Sequence, residues 1–175
     1  VRATHGYAKQ GSGFGYTGVR GLNVLLGVVS TPLAAPVIAG TRLRKGSANS
    51  ARGAARLITD TLVTARRLGA DPRRGARVLL RADTAYFTAE VVAAARRARA
   101  QFSLGARMTT TVKTAIAAID AGAWVPIHYP DAFTDPDTGE LISDAEVAEV
   151  PAFTAFTSRP KREHVTARLI VRRVK

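Results

Sequence analysis

The chain has 175 residues, of which 46% are hydrophobic, with a formal net charge of +13 and no cysteine. This length suits a globular protein with a sizeable core, and the lack of cysteine excludes disulfide frameworks and thiolate metal sites. No apolar run approaches the ~18 residues of a membrane span, and residues 1–6 lack the apolar segment of a secretory signal. We therefore expect a cytoplasmic protein that does not contact membranes.

The positive charge is distributed unevenly along the sequence. Residues 131–149 hold seven acidic side chains and no Lys or Arg, so the rest of the chain carries 26 basic and six acidic side chains. Such an excess repels itself in a compact state unless a polyanion is near, which favours contact with nucleic acid. The alternative is an arginine-rich composition on well-solvated surfaces.

The first half of the chain predicts a glycine-rich loop, two strands and a helix. Six glycines in residues 6–21 favour turns or extended loop. The apolar run 22–30 is typical of a strand covered on both faces, and residues 36–43 predict its antiparallel partner. Asn49 or Ser50 is placed to cap a helix over residues 54–68, where apolar side chains recur every three and four positions.

The following segments predict alternating strands and helices, and then a β-rich part. An apolar strand ends at Asp83, Thr88 caps a helix to about residue 98, a strand covers 101–107, and a third helix runs from about 110 to 121. Three further strands are predicted, over residues 124–129, 145–156 and 164–174. The pattern indicates an α/β fold, a mixed sheet with helices packed on it, and a division into residues 1–122 and 123–175.

Asp83 is the most informative position because it follows directly on a buried strand. Ligands of open α/β sheets bind outside the carboxyl ends of the strands, and a carboxylate held there suits a hard divalent cation. In a basic chain, the partner of such a cation would be a phosphate backbone. The plain alternative is that Asp83 caps the turn over residues 84–88.

Several segments resemble the catalytic core of the DDE-type transposases of bacterial insertion sequences. The matching segments are His5–Tyr16, Gly18–Asn23, Thr31–Pro36, Arg81–Tyr86 and Ile142–Pro151. The resemblance implies a ribonuclease-H-like fold with a β-rich insertion in the C-terminal part. It also implies DNA transposition, in which transposon-end phosphodiesters are cleaved and joined.

In that family, three acids hold two divalent cations, Mg²⁺ or Mn²⁺, which activate the nucleophile and stabilise the leaving oxygen. Asp83, within Arg81–Tyr86, matches the second acid. The first belongs just before the motif that starts at His5, and the third is a glutamate on a helix after the insertion. No matching acid is found at either place, and Glu163, between basic residues and a strand, is a poor substitute. We therefore expect the first and third catalytic acids to be absent from this chain.

The resemblance also implies double-stranded DNA partners, namely transposon ends and target DNA, and a homodimer of the parent enzyme at the bacterial nucleoid. Five basic residues are candidate DNA contacts, three of them in a loop that could equally be a solvated turn: Lys9, Arg20, Arg159, Lys161 and Arg162. The sequence thus predicts a fragment of a transposase catalytic domain. The alternatives are a catalytically dead DNA-binding remnant and a stand-alone metal-dependent nuclease.

Overall fold

The computed structural model describes residues 2–6, 9–127, 136–137, 139 and 145–174. The chain divides into two compact units, Val1–Ala106 and Arg107–Lys175. The strands of the first unit are β1 (Arg2–Ala3), β2 (Gly13–Phe14), β3 (Arg20–Thr31), β4 (Ala34–Lys45), β5 (Leu79–Ala82) and β6 (Gln101–Leu104). Its helices are α1 (Ala54–Arg67) and α2 (Ala89–Arg97). The second unit contains α3 (Thr110–Ala117), β7 (Val125–Ile127), β8 (Ala145–Ala155) and β9 (Val165–Val174).

A long antiparallel hairpin, β3–β4, forms the first sheet, as the sequence predicts. The register runs from Leu22 opposite Lys45 to Thr31 opposite Ala34, with a shift after Gly27. The short strands β1 and β2 extend the sheet at Gly21, where they pair antiparallel with β3. Residues 9–21 of the glycine-rich segment therefore turn the chain back onto this hairpin.

Within the described part of the chain, only one face of the hairpin is covered, so the prediction of a strand buried on both faces is wrong. Leu25 is 4% exposed, whereas its neighbours Val24 and Leu26 are 40% and 51% exposed. Successive side chains on a strand point to opposite faces, and α1 covers only the face that carries Leu25. A continuous apolar run in the sequence does not reveal whether one or both faces have a packing partner.

Helix α1 approaches the hairpin closely over a pair of glycines. Gly27 and Gly40 are register partners, and a Cβ atom on either would meet the side chain of Thr61. Glycine at both positions lets the helix backbone come near the sheet.

The start of α1 differs from the prediction. The helix begins after Gly53, whose φ of 79° is left-handed, so the predicted cap by Asn49 or Ser50 is wrong. The side chain of Asn49 instead accepts a hydrogen bond from the backbone of Ala51, within the preceding turn.

Arg44 holds the segment that leads into α1. Its guanidinium donates to the carbonyl groups of Asn49, Ser50 and Arg52 at 2.8–2.9 Å, and to Oδ1 of Asn23 at 2.6 Å. Desolvation by burial lowers the pKa of Arg44 from its ordinary value, an effect that Tyr86 partly opposes. Four charge-assisted hydrogen bonds favour the charged form at this site.

The second part of the first unit is a strand–helix–strand segment in which β5 and β6 pair in parallel. Thr88 caps α2 by accepting from the backbone N–H of Val91 at 3.3 Å, as the sequence predicts. Val91 and its neighbour Val92 are each 1% exposed. Val91 joins Leu25 and Leu57 in one hydrophobic cluster, so the two helices form the layer on which both the hairpin and β5–β6 pack.

The second unit is a three-stranded antiparallel sheet, in the order β7–β8–β9, with α3 beside β8. The guanidinium of Arg173 lies 3.9 Å from the centre of the Trp124 ring and forms an ion pair with Glu146 at 2.6 Å. The predicted strands over 145–156 and 164–174 are confirmed. The predicted strand over 124–129 is confirmed for residues 125–127: Trp124 precedes the strand, and residues 128 and 129 lie outside the described part.

The described chain is therefore a mixed α/β protein, with three α-helices and separate sheets of four, two and three strands. The hairpin and the β5–β6 pair are not joined by strand pairing in the part that the structure describes. The predicted division into an enzyme core, residues 1–122, and a β-rich insertion, residues 123–175, stays a prediction.

Candidate functional site

Asp83 lies at the carboxyl edge of the parallel pair β5–β6. It follows Ala82, the last residue of β5, and borders an open cleft lined by Arg81, Ala82, Asp83, Ser103, Leu104 and Gly105. Loops at this edge of a parallel sheet are the usual location of ligand sites in α/β proteins. The structure thus puts Asp83 at the strand end where the sequence predicted it.

The Asp83 carboxylate is exposed and has a local structural role. Its Oδ1 accepts a hydrogen bond from the backbone N–H of Thr84 at 2.6 Å and caps a short 3-10 turn over Thr84–Tyr86. The backbone carbonyl of Asp83 accepts from the N–H of Tyr86 at 2.9 Å. The turn-capping alternative is therefore confirmed. The capping hydrogen bond does not prevent the Asp83 carboxylate from binding a second partner, because a carboxylate has two oxygens and several lone-pair sites.

Gly105 shapes the other side of the cleft, and sequence reasoning missed it. Its N–H donates to the carbonyl of Ala82 at 3.3 Å, which extends the parallel pairing by one bond beyond the strand ends. A Cβ at this position would meet the hydroxyl of Thr84 and lie 2.9 Å from its backbone nitrogen. A glycine directly after a strand is the available signal, since it often marks a close approach of two backbones.

One carboxylate does not make a complete two-metal site. In the described part of the chain, no three His, Cys, Asp or Glu side chains come together as metal ligands. Two other acids of the first unit have local partners: Asp60 pairs with Arg56 at 3.4 Å, and Asp71 accepts from the backbone N–H of Arg73 at 3.0 Å. Mg²⁺ is commonly held by one or two carboxylates together with substrate phosphates. Asp83 fits one such ligand, and the described residues do not supply the other two carboxylates beside it.

The five predicted DNA contacts are distributed over both units. Lys9 and Arg20 are exposed in the first unit. Arg159, Lys161 and Arg162 are exposed in the loop between β8 and β9 of the second unit.

Arg159 is partly neutralised by an ion pair with Glu163 at 3.2 Å. The carbonyl oxygen of Arg159 is 2.8 Å from Nε2 of His164, so a hydrogen bond connects the loop to the residue just before β9. The ion pair also gives Glu163 a local role, and Lys161 and Arg162 are the more accessible cations of this loop. Whether any of the five contacts DNA stays a prediction.

No family model, curated protein or solved structure matches this chain. Among the described helices, none combines the length and the apolar character needed to cross a membrane.

Proposed function

We propose that this chain derives from the catalytic core of a DDE-type DNA transposase and that, in isolation, it binds duplex DNA without cleaving it. The observation that carries the proposal is Asp83, exposed beside an open cleft at the carboxyl edge of a parallel strand pair. The motif Arg81–Tyr86 around it resembles the segment that carries the second metal-binding acid of that family. In the parent enzyme, Asp83 would be one of three carboxylates that hold Mg²⁺ or Mn²⁺.

The order of the elements supports a ribonuclease-H-like core. An antiparallel hairpin precedes a helix, and a parallel strand–helix–strand segment follows with the acid after its first strand. On the edge of β3 opposite β4, strand pairing in the described residues is limited to Gly21 and Leu22, where β1 lies. A strand along the rest of that edge would be required to join the two sheets into one mixed sheet.

The charge of the molecule supports DNA as the ligand. A net charge of +13 on 175 residues favours polyanions, and most non-specific DNA affinity comes from neutralising phosphates. The carboxylate of Asp83 is then a local exception on a positive surface. A phosphate brought to this cleft without a bridging cation would be repelled by it.

This repulsion gives a test that does not depend on catalysis. Replacing Asp83 with asparagine should tighten duplex binding in EDTA. One charge at about 5 Å in water contributes about 0.8 kcal/mol, which is roughly fourfold in Kd. The matched control is Asp120→Asn, because Asp120 also caps a 3-10 turn, by accepting from Gly122 at 2.8 Å, but lies in the other unit. Fluorescence anisotropy of a labelled 30-base-pair duplex measures both variants.

The same proteins should then be incubated with labelled DNA and Mg²⁺ or Mn²⁺. We expect binding and no nicking. Nicking that is lost in Asp83→Asn but kept in Asp120→Asn would show a complete nuclease site and would overturn the non-cleaving part of the proposal. If the two substitutions change the Kd equally, Asp83 does not lie on the DNA-binding surface.

A further inference from the structure

Eight arginines gather at one end of the first unit, a cluster that we call the arginine pole. They come from the last turns of α1 and α2, the loop between α1 and β5, and the turn after α2. The members are Arg66, Arg67, Arg73, Arg74, Arg77, Arg96, Arg97 and Arg99. They are spread over 34 residues of sequence, so only the packing of the two helices brings them together.

The arginine pole lies at the opposite end of β5 from Asp83. The chain leaves α1, passes the loop and enters β5 at Leu79, whereas Asp83 follows the other end of the strand. Helix α2 then returns the chain to the start of β6, where the N–H of Gln101 donates to the carbonyl of Val78 at 2.9 Å. Four residues of strand separate the two ends by about 13 Å. The arginine pole is therefore distinct from the Asp83 cleft.

The charge at the arginine pole is almost uncompensated. All eight arginines are exposed, and in the described part of the chain none of them forms an ion pair, although arginines elsewhere do. The nearest acid in the sequence, Asp71, uses its carboxylate to accept from the backbone of Arg73. Helix dipoles favour basic residues in the last turns of α1 and α2, which explains four of the eight. Of the other four, Arg73 and Arg74 end a three-residue 3-10 turn, whose dipole is small, and Arg77 and Arg99 lie outside the helices.

Three of these arginines surround one groove between the helices. Arg66, Arg73 and Arg97 line it together with apolar residues that include Leu62 and Ala94. Apolar surface beneath arginine lets the aliphatic stems pack while the guanidinium groups remain in water. The groove thus brings three guanidinium groups to one end of the unit, and guanidinium groups match phosphate oxygens in geometry.

The composition of the arginine pole favours duplex DNA over single strands. Residues 62–82 and 91–101 contain no Phe, Tyr or Trp. Proteins that bind single strands stack bases on aromatic side chains, whereas contacts to duplex phosphates need only cations and hydrogen-bond donors.

We propose that the arginine pole is a second, sequence-independent binding surface for the phosphate backbone of duplex DNA. This inference rests on the proposed DNA-directed function but needs no metal site. DNA engaged there lies away from the Asp83 cleft, so the first unit has two separate regions for DNA contact. The arginine pole supplies affinity, and it contributes no base recognition.

The test is a salt titration of duplex binding by the full chain. The triple variant Arg66→Gln, Arg73→Gln, Arg97→Gln removes the three groove arginines. The matched control, Arg52→Gln, Arg107→Gln, Lys113→Gln, removes the same charge from exposed positions outside the arginine pole. Loss of three phosphate contacts should lower the slope of log K against log salt by about three and weaken binding on the order of 100-fold near 0.1 M salt. The control should lose less than tenfold, and circular dichroism should show both variants folded.

The outcomes separate this inference from the proposed function. Equal weakening of the two triple variants would overturn the arginine pole as a site while leaving DNA binding by the chain intact. No duplex binding by the wild-type chain would overturn both. Tighter binding to a single strand of equal length, or to phosphatidylserine vesicles, with the same loss in the first triple variant, would overturn the assignment to duplex DNA.

Discussion

The close packing of α1 on the hairpin makes Gly27→Ala a sharp test of the fold. The added Cβ would contact the Thr61 hydroxyl and would lie 3.0 Å from Cβ and Cγ2 of Thr61. Carbon atoms pack at about 3.5–4.0 Å, so the helix must shift or Thr61 must leave its rotamer. Overpacking of this kind costs about 1–3 kcal/mol, and we expect the melting temperature to fall by roughly 5–15 °C.

A second substitution distinguishes this clash from a general intolerance of the strand. Thr61→Ala removes the hydroxyl and Cγ2, and that hydroxyl is buried without a hydrogen-bond partner in the described structure. We expect Thr61→Ala alone to be close to neutral and to restore most of the loss in the double variant. Gly13→Ala is the control, because its nearest neighbours would be 3.8 Å away. Thermal melts followed by circular dichroism that show Gly27→Ala equal to Gly13→Ala, or no recovery in the double variant, would refute the packing described here.

Three further substitutions test individual contacts. Arg44→Lys should lower the free energy of unfolding in urea by about 2 kcal/mol, because one ammonium cannot replace a guanidinium that reaches four acceptors, and an unchanged midpoint would contradict this. Thr88→Ala should cost about 1 kcal/mol and speed hydrogen exchange at the Val91 amide, whereas unchanged exchange would argue against the cap. Arg173→Ala should change the fluorescence of Trp124, the only tryptophan in the chain, and identical spectra would show that the cation does not lie over the ring.

Local patterns predicted much of the secondary structure. The cap at Thr88 and the strand that ends before Asp83 depend on neighbouring residues, and both are found where the sequence predicted them. The start of α1 was wrong because Gly53 begins the helix in a left-handed conformation, whereas Asn49 and Ser50 looked like better caps in sequence. Cap propensity favours certain residues but does not fix which turn precedes the helix.

Features that depend on distant residues were not predicted. Arg44 is one of 26 basic residues and has no distinguishing local pattern, yet it holds three carbonyl groups of the segment before α1. The open face of the hairpin, at Val24 and Leu26, has no signature in an apolar run. In the candidate site, too, the feature that depends on distant residues was not predicted. The position of Asp83 followed from its strand, but the role of Gly105 depends on the pairing of β5 with β6.

DNA binding by this chain is tested most directly by the affinity of the wild-type chain for a 30-base-pair duplex, measured between 50 and 200 mM salt. The excess of basic side chains predicts measurable binding at low salt and a plot of log K against log salt with a slope of −3 or steeper, as several phosphates are neutralised together. No binding at 50 mM salt, or an affinity that does not change with salt, would contradict the claim that this is a DNA-binding protein.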